Sequence, residues 1–395
     1  MGSAFIFRPS WPKRTHFAQT ASPLARRARL SSAQEIFCEE DFIMKVDERK
    51  LSEFVEKAVT DLAAGYGGVM TVLGHKLGLY KAMAYVGPLD SSEIAKRSGC
   101  AERYVREWLN SQAAAGYVLY HATTATYELT PEQALVLAED DSPVFMPPAW
   151  EVPVSMFLDE EKTIDAFRTG KGVAWDEHHE RLFCGVAAFY RNSYRNSLVH
   201  EWLPALRGVE EKLRDGAKVA DVGCGHGHST ILMAEAFPRS RFWGFDYHEK
   251  SIETARRIAR NTAIENRLSF EVASATSYPA EGFDLICFFD CLHDMGDPVS
   301  AARHAKRALA ENGTVMLVEP FANDRVEENL NTVGRLYYSA STTLCCAHSL
   351  SEDGAAALGA QAGEARLANV FTKAGFSEFR KAKTTPFNLV LEAKV

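Results

Sequence analysis

The spacing of apolar residues changes along the chain. Residues 45–89 carry apolar positions at helical intervals, which predicts amphipathic helices. One such series is Leu51, Phe54, Val55, Ala58 and Leu62. From residue 217 onward, short apolar runs alternate with helix-period segments. This alternation predicts an α/β fold with a doubly wound, Rossmann-like parallel sheet and right-handed crossovers.

Residues 91–130 predict two short helices followed by a hairpin. Ser91 or Ser92 can cap the first helix and Gly99 can end it. The segments GYVLY and TYELT flank a polar turn and alternate as strands do. Helix, turn, helix and hairpin together make a winged helix-turn-helix pattern.

This helical module is electrically balanced. Residues 91–130 contain four Lys or Arg and four Glu, whereas a DNA-reading module needs a basic stripe that faces phosphate. The whole chain has a formal net charge of −8. Nucleic-acid binding is therefore disfavoured, and a packing role in a homodimer is favoured.

Three features bear on the compartment. The eight cysteines form no C-x-x-C pair, which favours a reducing, cytoplasmic environment. No apolar run approaches the ~18 residues of a membrane span. Residues 1–43 have no acid before Glu35 and several arginines, which is typical of a mitochondrial transit peptide. An upstream extension before a start at Met44 explains them equally well, and in both cases this arm stays outside the folded core.

The segment VADVGCGHGHST combines a strand end with a glycine loop. Gly223, Gly225 and Gly227 have the spacing G-x-G-x-G, which allows a ligand to approach the backbone closely. A dinucleotide site or a purely structural turn would also use glycines. However, Asp221 precedes the loop and would repel a pyrophosphate, whereas it suits an ammonium group. Asp246 ends the next predicted strand, about 20 residues on, where an acid accepts hydrogen bonds from ribose.

A nucleoside that carries an amino-acid ammonium without phosphate is S-adenosylmethionine. VADVGCGHG, GHKLGLYKAM, FFDCLHDMGDP, LGAQAGEARL and TPFNLVLEA together resemble class I S-adenosylmethionine-dependent methyltransferases with an N-terminal winged-helix domain. That group includes small-molecule O-methyltransferases and uncharacterised bacterial proteins, and the second subgroup is the more similar. The resemblance is strongest over residues 215–320.

The resemblance implies a set of cofactor contacts. Asp221 and the loop glycines would face the methionine end, Asp246 the ribose and Tyr247 the adenine. Ala275 and Thr276 stand where many relatives have an acid that reads the adenine amine. Phe289 and Asp290 would border the methionine moiety. The implied cofactor-binding residues are Asp221, Gly223, Gly225, Gly227, Asp246, Tyr247, Ala275, Thr276, Phe289 and Asp290.

The segment FFDCLHDMGDP also offers a candidate base. Methyl transfer is an in-line displacement that depends on positioning, and a hydroxyl acceptor gains from a general base. By the resemblance, Leu292-His293-Asp294 matches the segment that carries the catalytic histidine. Glu319 would orient it, and Glu364 is a loose match to a second acid. His293 could instead line the pocket or hold the loop. No residue cluster resembles a magnesium site.

The sequence thus predicts an enzyme that methylates a small molecule, with oxygen as the favoured acceptor atom. The acceptor itself cannot be read. The expected regions are a basic arm (1–43), a winged-helix and dimerisation domain (44–139), a helical connector (140–214) and the S-adenosylmethionine-binding domain (215–395). In the connector, FYRNSYR either roofs a ligand pocket or packs between domains, and packing is favoured. The alternatives are a transcription regulator with a ligand-sensing domain and a partner protein with a degenerate cofactor site.

Overall fold

The computed structural model describes residues 35–36, 44–260 and 262–395. The predicted basic arm therefore lies almost entirely outside the described residues. The chain divides into two compact units, Met1–Gly65 and Tyr66–Val395. The described part of the first unit holds strands β1 and β2 and the first part of helix α1.

The strands are β1 (Glu35–Ile36), β2 (Met44–Lys45), β3 (Leu119–His121), β4 (Thr126–Glu128), β5 (Lys218–Val222), β6 (Arg241–Asp246), β7 (Leu268–Val272), β8 (Phe283–Phe289), β9 (Leu309–Pro320), β10 (Glu378–Thr384) and β11 (Asn388–Lys394). The α-helices are α1 (Glu48–Lys76), α2 (Leu79–Met83), α3 (Ser91–Ser98), α4 (Glu102–Ala114), α5 (Pro131–Leu137), α6 (Glu151–Leu158), α7 (Glu160–Thr169), α8 (Arg181–Ser193), α9 (Val209–Asp215), α10 (His228–Ala236), α11 (Glu249–Ala259), α12 (Pro298–Ala308), α13 (Thr332–Ala340), α14 (Cys346–Ser351) and α15 (Gly363–Ala374). π-Helical turns continue α8 at Tyr194–Trp202 and α13 at Ser341–Cys345.

The winged-helix pattern is present as α3, α4 and the β3–β4 hairpin. The N-cap of α3 is Asp90, whose carboxylate accepts the Glu93 N–H at 2.8 Å, and not Ser91 or Ser92. The negative charge of an aspartate at this position also interacts favourably with the positive end of the helix dipole. Gly99 ends α3 in the left-handed conformation, as expected. Ile94 and Leu109 are fully buried between these helices.

The second domain is built on a seven-stranded sheet with the order β10-β11-β9-β8-β5-β6-β7. Strands β5 to β9 are parallel, whereas β11 runs antiparallel to both β9 and β10. The sheet is therefore mixed, because a tight connection between β10 and β11 can only form an antiparallel hairpin. The strand order reverses between β5 and β8, which places the ligand crevice at their carboxyl ends.

Strand β8 shows why the centre of this sheet is apolar. Helices cover both faces of the sheet, so the side chains that point to either face are buried. Leu285, Ile286, Cys287 and Phe288 are each at most 1% exposed. They belong to two apolar clusters on opposite faces of the sheet. A central strand of this kind reads as a continuous apolar run, as FDLICFF does. The run ends at the crevice, where the polar residues begin.

Candidate active site

A cavity of about 740 Å³ opens at the carboxyl ends of β5, β6 and β8. Its size lies within the ~300–1,000 Å³ typical of ligand pockets. Aromatic side chains form much of its wall, namely Trp175, Phe183, Tyr190, Tyr194, Tyr247 and Phe289. Carboxylates are also present, but within the described residues no Lys or Arg lines the cavity. The cavity therefore suits a cationic or neutral ligand and not a phosphate.

The glycine loop lies along the floor of this cavity. Gly223 and Gly227 adopt φ values of 76° and 74°, which L-residues rarely adopt. A Cβ at Gly223 would lie 2.7 Å from the Cys291 sulfur, and one at Gly227 would lie 2.4 Å from the Phe270 ring. The loop needs glycine both for its turn and for its close packing. Gly225 also lines the cavity.

Asp221 lies beneath the loop and is fully buried. Its Oδ2 accepts hydrogen bonds from the hydroxyls of Ser229 at 2.6 Å and Thr230 at 2.7 Å, while its Oδ1 is buried without a hydrogen-bond partner. Burial raises the pKa of Asp221 to about 6, although the two hydroxyls oppose the shift. Asp221 does not line the cavity, which differs from the expected direct contact because the first turn of α10 holds its carboxylate.

Asp246 ends β6 and lines the cavity, as predicted from its place in the sequence. One carboxylate oxygen accepts the Gly225 N–H at 2.9 Å and the other accepts the His248 N–H at 2.9 Å. Each oxygen retains lone pairs for further donors. Burial raises the pKa of Asp246, and the two backbone hydrogen bonds oppose that shift. Asp246 thus ties the glycine loop to β6 while presenting acceptors to a ligand.

The expected adenine side is less closely packed. Tyr247 lines the cavity with its ring stacked on His348, at a centroid distance of 5.9 Å and an interplanar angle of 8°. Ala275 and Thr276 line the same region, and the Thr276 hydroxyl lies 3.0 Å from the Ser274 hydroxyl. A flat, partly apolar group fits beside these residues.

Phe289 and Asp290 also line the cavity. Asp290 has a φ of 51°, in the left-handed region that non-glycine residues seldom occupy. The Asn388 side-chain amide donates to both of its carboxylate oxygens, at 3.1 and 3.4 Å. Burial and the nearby Glu319 raise the pKa of Asp290 well above its usual value.

The structure brings His293 and Glu319 together. His293 Nδ1 is hydrogen-bonded to Glu319 Oε2, and Glu319 Oε1 accepts the Leu292 N–H at 3.1 Å. Burial lowers the pKa of His293, but the Glu319 carboxylate outweighs it, so the pKa is raised well above 6.5. His293 is only 3% exposed and does not line the cavity. Glu364 is not the second acid, because it pairs with Lys381 at 2.6 Å on the surface.

Some residues of the site were not among the expected cofactor contacts. Tyr190 and Tyr194 come from FYRNSYR, so this stretch lines the cavity as well as packing. His348 reaches the cavity from α14. Asn388 begins β11. The one feature of the sequence that could have pointed to a role in the site is an amide side chain at the start of an otherwise apolar strand. Within residues 35–36, 44–260 and 262–395, no group of three or more His, Cys, Asp or Glu side chains could hold a metal ion.

Known families match two parts of the chain. Residues 213–375 match the family described as "Methyltransferase domain", and residues 65–139 match the "Rv2258c-like winged HTH domain". The 27-O-demethylrifamycin SV methyltransferase of Amycolatopsis mediterranei is 35% identical over 27% of this chain and 39% of its own length. The trans-aconitate 2-methyltransferase of Streptomyces avermitilis is 42% identical over 20% of this chain and 30% of its own length. The chain thus spans less than half of these two relatives.

Solved structures share the fold over most of the chain. Human N-acetylserotonin methyltransferase in complex with SAM is 16% identical with a TM-score of 0.64, over 86% of this chain and 97% of that one. The mitomycin 7-O-methyltransferase MmcR is 18% identical with a TM-score of 0.59, over 88% of this chain and 100% of that one. Identities this low show the fold alone. Together with the family matches, they confirm the predicted fold class and the predicted resemblance: residues 213–375 match a methyltransferase domain, which follows a region that matches an Rv2258c-like winged helix-turn-helix domain.

Proposed function

We propose that the protein is an enzyme that transfers a methyl group from S-adenosylmethionine to a small-molecule acceptor. The observation that carries the proposal is the cavity at the switch point of the sheet. It combines the glycine loop, the Asp246 carboxylate and acidic walls to which no Lys or Arg among the described residues contributes. A cationic nucleoside fits such a site and a pyrophosphate does not.

The residues present fit this cofactor. Asp246 would accept the ribose hydroxyls, and Tyr247, Ala275 and Thr276 would flank the adenine. The unpartnered Oδ1 of Asp221 supplies a buried negative charge below the glycine loop, which favours a cation above it. When bound, S-adenosylmethionine supplies an electrophilic methyl group. The chain's own residues would orient the two ligands and exclude water, which is the main requirement of the reaction.

Transfer to oxygen is supported by the neighbours whose fold the chain shares, among them MmcR. The finer role of His293 as the base stays a prediction. Its pairing with Glu319 fits an oriented imidazole, but its burial keeps it out of the cavity. Burial lowers the pKa of His293 and the Glu319 carboxylate raises it, with a net upward shift, which favours the protonated ring over the neutral form that accepts a proton.

Calorimetric titration tests the cofactor. We expect S-adenosylmethionine and S-adenosylhomocysteine to bind at roughly micromolar Kd, while NAD does not bind because its pyrophosphate meets acidic walls. Transfer of a labelled methyl group to a panel of phenols, carboxylic acids and amines then tests the reaction. Tight binding of NAD together with no binding of S-adenosylmethionine would refute the proposal.

A homodimer formed through α1 is a second proposal. Along this helix an apolar stripe is exposed, namely Leu51, Phe54, Val55, Val59, Leu62, Tyr66, Val69 and Leu73. A helix gains most of its stability from burying such a face. We expect the wild type to be a dimer by size-exclusion chromatography with light scattering, and Val69→Glu to be a monomer. Thr60→Glu, on the opposite face, should remain dimeric, and a monomeric wild type would contradict the proposal.

No observation favours the transcription-regulator alternative. In the winged-helix domain, Arg103 pairs with Glu107 at 2.5 Å and Arg106 with Glu102 at 3.3 Å. These pairs neutralise the helix that would have to face phosphate. Among the described helices, none is both long and apolar enough to cross a bilayer.

A further inference from the structure

Burial against Glu319 keeps the His293 imidazole out of the cavity, so His293 does not reach a methyl acceptor that is bound there. Nδ1 of His293 is engaged by Glu319, and the Cys345 thiol is its other close neighbour. The ring is 3% exposed and lies behind the cavity wall. A general base must come within hydrogen-bonding reach of the proton that it removes. Another group must therefore contact the acceptor.

Asp290 meets this geometric requirement. It follows the last residue of central strand β8 and lines the cavity next to Cys291, which packs on Gly223 of the glycine loop. Its left-handed φ of 51° turns the chain at this point, and strained residues of this kind cluster at functional sites. The buried Asn388 side chain holds the carboxylate from strand β11. Asp290 is thus fixed in place at the floor of the cavity.

The aromatic side chains near Asp290 differ from the one near Asp294. The charge of Asp290 acts on the phenol groups of Tyr190, Tyr194 and Tyr337, of which Tyr190 and Tyr194 line the cavity. Asp294 also lines the cavity, acts on Tyr247 and is influenced by Asp246. Asp290 therefore lies near Tyr190 and Tyr194, whereas Asp294 lies near the residues that are expected to hold the ribose and adenine.

We propose that Asp290 is the catalytic residue that contacts the acceptor and takes its proton, while the His293–Glu319 ion pair only positions the loop. This inference rests on the proposed methyl transfer and adds a residue role to it. An uncharged hydroxyl or amine that donates a hydrogen bond to Asp290 is the acceptor group that fits, with its ring against Tyr190 and Tyr194.

The step balances in atoms and charge. The X–H bond of the acceptor breaks and its proton passes to a carboxylate oxygen of Asp290. A bond forms between X and the methyl carbon, and the bond between that carbon and sulfur breaks with its electron pair left on sulfur. One positive charge on sulfur and one negative charge on Asp290 disappear together. The products are a methylated acceptor, a neutral thioether and a protonated Asp290.

The groups around Asp290 raise the basicity of its carboxylate. The groups that interact with it are Glu319 from β9, His293 and Asp294 from its own loop, Tyr190 from α8, Tyr194 from the π-helical turn that follows, Tyr337 from α13 and Asn388 from β11. Burial raises the pKa of Asp290 first, and Glu319 raises it further, while His293 and Tyr190 oppose the shift. A carboxylate whose pKa is raised by burial is a stronger base than an exposed one.

Asp290→Asn is the discriminating variant, because asparagine tolerates the left-handed conformation and keeps the shape of the side chain. With phenol as the acceptor, which stays un-ionised near neutral pH, we expect turnover to fall at least about 100-fold, whereas the Kd of S-adenosylmethionine should change by less than about tenfold. The acid limb of the wild-type pH–rate profile should be absent. Asp294→Asn, the matched control, should weaken cofactor binding and keep the acid limb.

The absorbance of bound 4-nitrophenol provides a test that does not depend on turnover. In the wild type the Asp290 carboxylate disfavours the phenolate, which raises the apparent pKa of the bound probe. We expect that pKa to fall by about one unit or more in Asp290→Asn and to stay constant in Asp294→Asn. An equal pKa in wild type and Asp290→Asn, or no probe binding to the cofactor-bound protein, overturns the inference. If the wild type does not bind S-adenosylmethionine, the proposed function itself fails.

Discussion

Replacing Glu319 by Gln is expected to lower the free energy of unfolding by about 3–5 kcal/mol at pH 6, because it leaves a buried imidazolium without its counter-charge. The side chains of His293 and Glu319 are 4% and 2% exposed, so water cannot compensate. The amide oxygen of the introduced glutamine would still accept the Leu292 N–H, which limits the change to the ion pair. Urea unfolding measures the loss.

The pH dependence of this loss has a definite sign. The pKa of His293 is raised in the folded protein, so the pair stabilises fully below the unfolded value of about 6.5 and loses its effect as the pH rises through the folded pKa. The difference between wild type and Glu319→Gln should therefore shrink in alkaline solution. Glu364→Gln is the matched control, because the side chains of Lys381 and Glu364 are 45% and 36% exposed and such surface pairs contribute about 0–1 kcal/mol. An equal loss for both variants at every pH contradicts the buried-pair assignment.

Replacing Asp246 by Ala is expected to weaken S-adenosylmethionine binding by about 100-fold, or about 2.7 kcal/mol. The carboxylate accepts the N–H groups of Gly225 and His248, and hydrogen bonds to a charged group contribute roughly 1.5–3 kcal/mol each. Loss of the carboxylate removes the group that would accept hydrogen bonds from the ribose, and it also removes the hydrogen bond that holds the glycine loop. Calorimetric titration measures the change in Kd.

Asp284→Ala provides the control for this second prediction. Asp284 also accepts a strand N–H, that of Lys218 at 2.9 Å, but it lies near the amino end of β8, at the opposite edge of the sheet from the cavity. We expect its loss to lower stability slightly and to leave the Kd unchanged. Equal binding by Asp246→Ala and wild type would remove Asp246 from the cofactor site.

Several parts of the site follow directly from local sequence. A strand that ends in G-x-G-x-G fixes Gly223 and Gly227 in the turn, because steric restriction acts between neighbouring residues. The position of Asp246 follows from the length of the next strand. The contact of His293 with Glu319 was implied by the family resemblance, and it forms because His293 follows β8 while Glu319 lies at the carboxyl end of the adjacent parallel strand β9.

Other parts depend on the register of distant strands. Asn388 reaches Asp290 only because β11 inserts beside β9 with Asn388 opposite Pro320. Nothing in the sequence around either residue specifies that register. The sequence likewise does not determine whether the Asp221 carboxylate points to the ligand, because the hydroxyls of Ser229 and Thr230 can donate hydrogen bonds to that carboxylate instead.

The sequence by itself determined the order of strands and helices, the glycine loop and the acids at the strand ends, because apolar periodicity and backbone sterics are local properties. Only the tertiary structure decided which acid enters the cavity. Burial of His293 against Glu319, and the left-handed turn that exposes Asp290 to the cavity, depend on packing between β8, β9 and β11. Packing between elements far apart in the chain is set by the whole core, so no short segment encodes it.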